Sequence, residues 1–303
     1  MDLDLILPTY NRALLLKECL GSIFRANRPR GLNIRVVVVD NNSKDSTKDV
    51  VQSFIDQNDL SVRYIFVGRA GKSAALNEAI AQTDAELIGL VDDDEQLDPA
   101  WFEVAYREFL TAPELDYIGG PYCPNWEQAQ PDWFPAAYGG IVGIVPRPER
   151  IAFSREFNGM LMGGNAVIRR LILEKVLPYP EHLGKIGTKI RSGEDEVIYH
   201  RLLELGAKGM VVPDLIIHHW IPAKRLTKQY CRQWAIGRGI SEGSQLRERG
   251  FREPALLGIQ RYKFGTALQG VRGMLFAESR QQRFASQLSV LDCFATLYGR
   301  YFY

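Results

Sequence analysis

The sequence lacks the features that mark a membrane-spanning or a disulfide-stabilised protein. No window approaches the roughly 18 consecutive apolar residues that a membrane helix needs, and the stretch MDLDLILPTYNR carries two acids where a signal peptide carries basic residues. The four cysteines, Cys19, Cys123, Cys231 and Cys293, lie far apart without a CxxC pair, so neither a zinc knuckle nor a disulfide framework is indicated. We therefore expect a cytoplasmic protein with reduced thiols.

A large net charge is also missing, because 37 Lys and Arg nearly balance 36 Asp and Glu. The balance conceals an asymmetry along the chain. Residues 224–283 hold thirteen basic against four acidic side chains, whereas residues 1–223 hold 23 against 31. A basic C-terminal third on an otherwise acidic protein favours an anionic surface or partner at that segment. The alternative is a set of basic helices whose charges simply face water.

Short apolar runs that end in turn residues alternate with amphipathic segments in the first hundred residues. The runs are LDLILPTYN, NIRVVVVDNNS and ELIGLVDDDE, and the amphipathic segments include ALLLKECLGSIFRA and STKDVVQSFIDQN. This alternation predicts an α/β protein with a mostly parallel sheet that helices flank on both faces. Ligands of such sheets bind at the carboxyl ends of the strands, where the sequence places PTYN, DNNS and DDD.

The stretch VGRAGKSAALNEAI contains GKS, the tripeptide that ends the phosphate loop of many ATPases and GTPases. That loop needs a glycine five positions before the Gly of GKS, and the residue five positions before Gly71 is Phe66. A phenylalanine lacks the backbone freedom that wrapping around a phosphate demands. The sequence therefore disfavours a triphosphate loop here, although a Lys before a helix remains to be explained.

Three consecutive aspartates, Asp92 to Asp94, follow the apolar strand ELIGLV. Adjacent like charges repel unless a cation or hydrogen-bond donors offset them. Mg²⁺ and Mn²⁺ prefer oxygen ligands and are often held by one or two carboxylates together with substrate phosphates. The alternative is a solvated turn that caps the next helix, but Asp98 and Pro99 already offer that helix an N-cap and a first residue.

The second half of the chain is less regular. Residues 119–164 are rich in Pro, Trp and Gly and predict a functional loop or lid. Helices are indicated for AVIRRLILEKV and GEDEVIYHRLLELG, and one strand for KGMVVPDLIIHHW; from Ala223 onward the sequence is helical and basic. These patterns predict a domain over residues 1–222 and a helical C-terminal extension over residues 223–303.

The order and spacing of several segments resemble the family 2 glycosyltransferases, which are inverting enzymes of the GT-A (Rossmann-like) fold that use nucleotide-sugar donors. The matching segments run from residue 3 to about residue 220 and are LILPTYNRALLLKECLGSI, VVVVDNNSKDST, GKSAALNEAI, ELIGLVDDDEQLDPAWF, MGGNAVIRR, GEDEVIYHRLLELG and VVPDLIIHHW. The resemblance implies the GT-A fold for this region and implies much less beyond residue 225.

The resemblance also implies a donor site along the strand ends. The residues that it assigns to the donor are Pro8, Thr9, Tyr10, Asp40, Arg69, Lys72, Asp92, Asp93 and Asn165. Asp40 is expected to accept a hydrogen bond from the base, Asp92 to lie on the ribose side, and Asn165 to contact a sugar hydroxyl. Asp93 is expected to support its neighbours. For Lys72, the alternative is an ordinary surface residue at a helix start.

The metal and the catalytic base complete the implied site. The triple aspartate matches the family's D-x-D motif, which assigns Asp94 to Mn²⁺ or Mg²⁺, and His219 is a candidate further ligand. His218 and His219 end a strand and point to opposite faces, so only one can reach the site. The family places its base in the Glu-Asp pair of GEDEV, which carries over to Asp195, with Glu194 as second choice. A helix start is expected to keep such an acid ionised; the alternative is that these acids only stabilise the helix.

These features predict a metal-dependent inverting glycosyltransferase that moves a sugar from a nucleoside diphosphate donor, UDP by default, to a hydroxyl acceptor in polysaccharide or glycoconjugate synthesis. A nucleotidyltransferase or NTPase, and a catalytically silent sugar-nucleotide-binding protein, remain as alternatives. We expect no nucleic-acid partner.

The basic segment suggests a location for the enzyme. Basic and apolar residues alternate at near-helical spacing from Arg225 to Arg272, a stretch that includes Arg252. Such a segment suits the inner face of a membrane or a lipid-linked acceptor. The alternative is packing on the catalytic domain or on a second subunit of a homo-oligomer.

Overall fold

The computed structural model describes residues 1–57, 60–145, 149–157, 159–183, 193–249 and 255–303. These residues form two compact units. The first consists of the described residues within Met1–Pro124, Val145–Lys189 and Gly193–Trp220, and the second of those within Asn125–Ile144 and Ile221–Tyr303. The segment 125–144 thus belongs to the same compact unit as the C-terminal residues, whereas the sequence assigned it to the first domain. Whether residues 1–222 and 223–303 are separate functional domains stays a prediction.

The strands of the described residues form three sheets. In chain order they are β1 Asp2–Thr9, β2 Asn33–Asp40, β3 Ser61–Phe66, β4 Leu87–Val91, β5 Glu95–Leu97, β6 Tyr117–Gly119, β7 Tyr122–Trp126, β8 Ile151–Ala152, β9 Asn165–Arg169, β10 Gly209–Val211, β11 Ile217–Ile221, β12 Ala255–Leu256 and β13 Ile259–Gln260. The large sheet has the order β3-β2-β1-β4-β9-β6-β10-β8, and a smaller sheet has the order β5-β11-β7.

The helices follow the strands of the first unit and dominate the second. They are α1 Ala13–Arg25, α2 Thr47–Gln57, α3 Lys72–Ala81, α4 Trp101–Thr111, α5 Arg170–Val176, α6 Glu194–Leu205, α7 Lys228–Arg249, α8 Arg261–Phe276 and α9 Arg280–Phe302. Among the described residues, no helix is both long enough and apolar enough to cross a membrane.

The large sheet is covered on both faces, as the alternation of strands and helices predicted. Strands β1 to β4 are parallel. Val36 and Val38 of β2 enter one apolar cluster, whereas Val37 and Val39 enter another, because successive strand residues point to opposite faces. Helix α1 packs Leu16 into the first cluster, and α3 packs Ala79 into the second. The α/β class with a mostly parallel sheet is therefore confirmed.

Three sequence-based element assignments are wrong in part. AVIRRLILEKV is strand β9 followed by the short helix α5, since its first residues pair antiparallel with both β4 and β6. KGMVVPDLIIHHW forms two strands, β10 and β11, in different sheets. Helix α4 begins after Ala100, so Asp98 is not its N-cap; the Asp98 carboxylate accepts a hydrogen bond from the Ala100 N–H instead.

The predicted irregular stretch 119–164 contains more regular structure than expected. It includes β7, a 3-10 helix at Ala136–Ile141 and β8. Phe134 and Val142 from this stretch are buried in the apolar cluster of the second unit. Burial of these side chains explains why part of the stretch is built into the second unit.

In the second unit, α7 and α9 run parallel and α8 runs antiparallel to α9. Arg232 near the start of α7 donates hydrogen bonds to Gln287 near the start of α9, and Arg238 pairs with Asp292 farther along both helices. Lys263 of α8 is buried and donates to Glu242, Asp292 and Thr296. Several basic residues of this segment thus form hydrogen bonds or ion pairs within the second unit. Arg252 lies outside the described residues.

Candidate active site

The carboxyl ends of β1, β2 and β4 bring polar side chains to one edge of the large sheet. Thr9 and Asp40, the last residues of β1 and β2, are partners in the parallel register. Asp92 follows the last residue of β4, and β4 pairs with β1 on its other side. The predicted convergence at this edge is therefore present, although the side chains differ greatly in exposure: Thr9 and Asp40 are buried and Tyr10 is exposed.

Three carboxylates converge where β4 turns into β5. Oxygen atoms of Asp92, Asp94 and Glu95 all lie within 4.8 Å of one another, and Asp94 and Glu95 are buried. The Asp92 N–H donates a 2.7 Å hydrogen bond to Glu95 Oε2. Burial raises the pKa of Glu95 well above its usual range, and the charges of Asp92 and Asp94 raise it further. Burial and mutual repulsion thus disfavour full ionisation of the group, and a cation bound among these acids would offset that repulsion.

The middle aspartate is held by residues of the first strand and helix. Asp93 accepts a 2.8 Å hydrogen bond from the Thr9 hydroxyl and a 2.7 Å hydrogen bond from Arg12. Arg12 also donates to Asp94 at 2.9 Å. Burial raises the pKa of Asp93 to about 6, although Arg12 opposes this shift. Asp93 is therefore held by Thr9 and Arg12, and its supporting role in donor binding stays a prediction.

Lys72 lies among the carboxylates rather than on the surface. Its ammonium group lies 2.6 Å from Asp92 Oδ1 and 2.8 Å from Asp92 Oδ2. Burial lowers the pKa of Lys72, but the charges of Asp92, Asp195 and Glu194 outweigh burial and raise it well above its ordinary value. The alternative of an ordinary surface residue is wrong.

Glu194 and Asp195 open α6 as a second pair of acids, of which Glu194 is buried and Asp195 is half-buried. Burial raises the pKa of Glu194 to about 7, with repulsion from Asp195 adding to the shift and Lys72 opposing it. Burial also raises the pKa of Asp195, again opposed by Lys72. Burial of these charges thus opposes the helix start, which favours the ionised form of an acid; that the helix start keeps the pair ionised stays a prediction. The Oδ1 atom of Asp195 has no hydrogen-bond partner among the described residues.

Two adjacent glycines let the two groups of acids approach the backbone. A Cβ atom on Gly163 would lie 2.1 Å from Asp195 Oδ1, and one on Gly164 would lie 2.3 Å from Glu95 Oε1. Heavy atoms cannot approach so closely, so any side chain at either position would displace a carboxylate. The carboxylates of Asp195 and Glu95 therefore pack directly against the backbone of the glycine pair.

His219 reaches the acidic group from the smaller sheet. Strand β11 pairs antiparallel with β5 so that His219 is opposite Glu95, and His219 Nε2 lies 3.9 Å from Asp94 Oδ1. His219 is buried, whereas the His218 side chain is 43% exposed and lies 3.9 Å from Asp98. The two imidazoles thus lie in different surroundings, and His219 is the one beside the aspartates.

The predicted nucleoside side of the site is organised by side chains at the end of β2. Asp40 accepts hydrogen bonds from the Tyr64 hydroxyl at 2.6 Å and from the Ser43 N–H at 2.8 Å. Asn41 holds the loop that carries GRAGKS, because it donates to the Arg69 carbonyl and accepts from the Gly71 N–H. Pro8 is buried within β1.

Two predicted donor residues lie differently from expectation. The Arg69 side chain is exposed and forms a 2.9 Å ion pair with Glu181. Asn165 is wholly buried: its amide donates to the Pro121 and Leu215 carbonyls and accepts from the Trp101 indole. The predicted contact of Asn165 with a sugar hydroxyl is therefore wrong for this structure, because the amide forms its hydrogen bonds inside the protein.

Sequence reasoning missed three members of the site. Glu95 is the fourth acid of VDDDE, and it was not identified because the D-x-D motif accounts only for the three aspartates before it. Arg12 follows PTYN by one residue, and a basic residue near a predicted acidic cluster was its available signal. Tyr122 is buried, its hydroxyl has no hydrogen-bond partner among the described residues, and its ring lies edge-on to His219. No sequence signal indicated Tyr122.

The donor set of this site fits a hard divalent cation. Asp92, Asp94 and Glu95 offer carboxylate oxygens from one short segment, and such oxygens are the ligands that Mg²⁺ and Mn²⁺ prefer. His219 adds an imidazole within reach of the same segment, which Mn²⁺ accepts more readily than Mg²⁺. The nearby cations Arg12 and Lys72 balance part of the negative charge.

Comparison with known proteins identifies relatives along most of the chain. Residues 4–177 match the family described as Glycosyl transferase family 2. Glycosyltransferase AglE of Haloferax volcanii is 26% identical, over 78% of this chain and 72% of that protein. An N-acetylglucosaminyltransferase of Azorhizobium caulinodans is 31% identical, over 72% of this chain and 55% of that protein. A shorter match covers 31% of this chain and 30% of a Campylobacter jejuni protein named GalNAc(5)-diNAcBac-PP-undecaprenol beta-1,3-glucosyltransferase, with 31% identity.

Solved structures share the fold at low sequence identity. A mannosyltransferase of Pyrobaculum calidifontis, solved with GDP-Man and Mn²⁺, has a TM-score of 0.63 and 17% identity, over 98% of this chain and 87% of that one. TarS of S. aureus, solved with UDP-GlcNAc, has a TM-score of 0.56 and 16% identity, over 99% of this chain and 90% of that one. These likenesses show the GT-A fold.

Proposed function

The chain belongs to glycosyltransferase family 2, and from that premise we propose that it transfers a sugar from a nucleoside diphosphate donor to a hydroxyl acceptor with inversion, in a reaction that depends on a divalent cation. The observation that carries this proposal is the meeting of two groups of acids. Asp92, Asp94 and Glu95 form one group, Glu194 and Asp195 form the other, and Lys72 interacts with members of both. One group suits a cation and the other suits a proton acceptor.

The proton acceptor is Asp195, with Glu194 as its neighbour in the same titrating pair. Inverting transfer requires a base that removes the acceptor hydroxyl proton while that oxygen attacks the anomeric carbon. A base is most effective when its pKa lies near the working pH, and burial brings the pKa of Glu194 to about 7 and raises that of Asp195. Because the two acids interact, their protons leave in steps that belong to the pair.

Asp94 and His219 would hold the cation, and Asp92 and Glu95 would offer it further carboxylate oxygens, since ligand atoms of the three acids lie within 4.8 Å of one another. When bound, such an ion neutralises the charge that develops on the departing nucleoside diphosphate. Arg12 and Thr9 hold Asp93 and thereby fix the backbone of the acidic turn. Gly163 and Gly164 keep Asp195 and Glu95 at fixed positions against the backbone.

The donor base lies beside Asp40, and UDP is the default nucleotide. Asp40 is fixed by Tyr64 and Ser43, so that a ring N–H can meet a carboxylate whose orientation is already set. Thr9, Pro8 and Tyr10 lie on the neighbouring strand end, and Lys72 with Asp92 lies toward the sugar and diphosphate. The UDP-GlcNAc complex of TarS supports UDP, whereas the GDP-Man complex of the mannosyltransferase makes GDP the first alternative.

We further propose a lipid-linked acceptor, which the name of one relative and the surface of the second unit support. The name of the C. jejuni relative describes an undecaprenol-linked acceptor. On α8 and α9 the residues Leu268, Leu275, Phe276, Phe294 and Phe302 are large, apolar and exposed. We therefore place the enzyme peripherally at a membrane surface, in the synthesis of a polysaccharide or glycoconjugate. Vesicle co-sedimentation at low and high salt tests this placement, and negligible binding to anionic vesicles at low salt contradicts it.

A donor panel tests the proposed reaction directly. Purified protein is incubated with UDP- and GDP-sugars, with Mn²⁺, Mg²⁺ or EDTA, and release of nucleoside diphosphate is measured with and without lipid-linked acceptors. Cation-dependent release from one donor supports the proposal. Hydrolysis of nucleoside triphosphates without any sugar donor would favour the nucleotidyltransferase or NTPase alternative, and donor binding without release by any acceptor would favour the catalytically silent binding protein.

A further inference from the structure

The second unit contains a cavity that the proposed transfer reaction does not use. Its volume is about 400 Å³. Four basic side chains line it: Lys228 and Arg232 from α7, and Arg280 and Arg283 from α9. The remaining lining residues are Met274, Phe284 and Gln287, so that among the described residues no carboxylate lines the cavity. A wall of this composition is complementary to an anion that carries an apolar portion.

The four basic residues are exposed, except for the half-buried Arg232, and their contacts in the second unit are with neutral groups. Arg232 donates to the neutral oxygen of Gln287, and Arg283 donates to the Ala277 carbonyl. Lys228 lies over the Phe284 ring, with its Nζ 5.6 Å from the ring centroid. Within the described part of the chain, none of the four forms an ion pair with Asp or Glu. By contrast, Arg238 and Lys263 of the same unit are both paired with Asp292.

The helix directions add further positive potential at the cavity. Helices α7 and α9 are parallel, and each begins at the cavity with a basic residue, Lys228 and Arg280. Neither helix has an acid in its first turn. The N-terminus of a helix carries a partial positive charge, so that acids there stabilise it and bases there oppose it. Two long helices thus begin at one cavity with a basic residue, and no acid of either first turn offsets the positive potential of the helix N-termini.

We propose that this cavity binds the phosphate or diphosphate group of a ligand. Arginine and lysine pair with phosphate oxygens through charge-assisted hydrogen bonds, and helix N-termini favour the same groups. Met274 and Phe284 provide contact for an apolar portion, and the exposed side chains of Leu275 and Phe276 follow Met274 in the chain. The ligand is either a soluble phosphate compound or the headgroup of a phosphorylated lipid, and both present the same phosphoryl chemistry.

Titration of the full chain with inorganic diphosphate in EDTA, followed by calorimetry, tests the site. The paired substitutions Lys228→Gln and Arg280→Gln are expected to weaken binding at least tenfold, which corresponds to about 1.4 kcal/mol. Arg261→Gln and Arg272→Gln remove exposed charges of α8 outside the cavity and are expected to change binding less than twofold. Lys72→Gln shows whether the titration instead reports the donor site.

Melting temperatures distinguish a loss of diphosphate binding from a loss of folding in the cavity variant. Without any phosphate, the Lys228→Gln and Arg280→Gln variant should melt at or above the wild-type temperature, because each change removes a positive charge from a helix N-terminus. Diphosphate should raise the melting temperature of the wild type and of the α8 variant but not that of the cavity variant. Equal binding by the cavity variant and the wild type, or loss of binding in Lys72→Gln alone, overturns the proposal.

Vesicles distinguish the two sources of the phosphoryl group. Sedimentation is compared for vesicles of phosphatidylcholine alone, with phosphatidylglycerol, and with phosphatidic acid, whose exposed phosphomonoester resembles the soluble probe. Binding to phosphatidic acid that exceeds binding to phosphatidylglycerol and falls in the cavity variant identifies a lipid phosphate as the ligand. Diphosphate binding that falls in the cavity variant, without that lipid preference, identifies a soluble phosphate compound. Absence of both responses in the wild type overturns the site.

Discussion

Lys72 Nζ lies 2.6 Å from Asp92 Oδ1, and this pair links the acidic turn after β4 to the acids that open α6. The charge of Lys72 acts on Glu194 and Asp195 and opposes the rise in pKa that burial causes in both. One ammonium group therefore offsets negative charge from two segments that are far apart in the chain. The stretch GRAGKS thus provides a lysine for a carboxylate site and not a loop that wraps a phosphate.

Replacing Asp94 tests the cation site. Asp94→Asn is expected to reduce transfer at least 100-fold and to remove the rise in melting temperature that Mn²⁺ produces, because one anionic ligand is lost. Without the cation, the change relieves repulsion among the acids but also removes a charged partner of Arg12, so the melting temperature of each protein in EDTA is the baseline from which its Mn²⁺ response is measured. Asp98→Asn is the matched control, because Asp98 lies near His218 outside the acidic group. Full activity of Asp94→Asn at saturating donor contradicts the assignment.

Replacing Asp195 separates chemistry from binding. Asp195→Asn keeps the size of the side chain against Gly163, so the donor should bind with nearly unchanged affinity. Turnover should fall by about 100-fold or more, which is the usual scale for loss of a general base. Donor affinity is measured by calorimetry and turnover by release of nucleoside diphosphate. A parallel collapse of donor affinity would make Asp195 a binding residue, and a larger loss in Glu194→Gln would transfer the role of base to Glu194.

The pH dependence of turnover should report the buried pair. A base must be unprotonated to accept a proton, so turnover should rise as the pH increases through about 7, the pKa to which burial raises Glu194. Because Lys72 lowers the pKa of both acids, Lys72→Met should move this rise to higher pH. Turnover at saturating donor is measured from pH 5.5 to 9. A rise at unchanged pH in Lys72→Met would show that the titrating groups lie elsewhere.

Removing Arg12 should make stability depend more strongly on the cation. Arg12 bridges Asp93 and Asp94, and removing one partner of a largely buried ion pair costs about 3 kcal/mol. Arg12→Met should therefore lower the free energy of unfolding most in EDTA, and Mn²⁺ should restore part of the loss. Lys17→Met is the control, because Lys17 is an exposed residue of α1, the helix that directly follows Arg12. Equal losses with and without Mn²⁺ would show that Arg12 has no electrostatic connection to the cation.

Local sequence patterns were sufficient for the elements of the parallel half. The apolar runs in LDLILPTYN, NIRVVVVDNNS and ELIGLVDDDE predicted strands, and ALLLKECLGSIFRA predicted a helix, because each pattern depends only on neighbours in the chain. Strand β9 was assigned to a helix, since its apolar residues continue into α5 and only pairing with β4 and β6 selects the strand. Tertiary context of this kind has no local signal.

The site was predictable in its residue types but not in its contacts. The strand ends indicated Asp40 and the aspartates, and the resemblance added Glu194, Asp195 and His219. The burial of Asn165 depends on Trp101, Pro121 and Leu215, which come from three separate segments. A polar residue beside two glycines therefore suggested a ligand contact, although long-range hydrogen bonds decide its role.

The antiparallel insertion of β9 beside β4 also bears on how the protein is made. Strands β1 to β4 precede β9 by many residues, so a growing polypeptide exposes the edge of β4 before its neighbour has been synthesised. An uncovered apolar edge strand is prone to pair with other molecules, and flanking charges protect it. Asp92 to Asp94 directly follow LIGLV, and we expect them to act as gatekeepers during synthesis. Turbidity during refolding at rising concentration measures this effect: Asp93→Val should raise it more than Arg12→Met, which breaks the same ion pair but keeps the aspartates, and equal turbidity of the two variants contradicts the role.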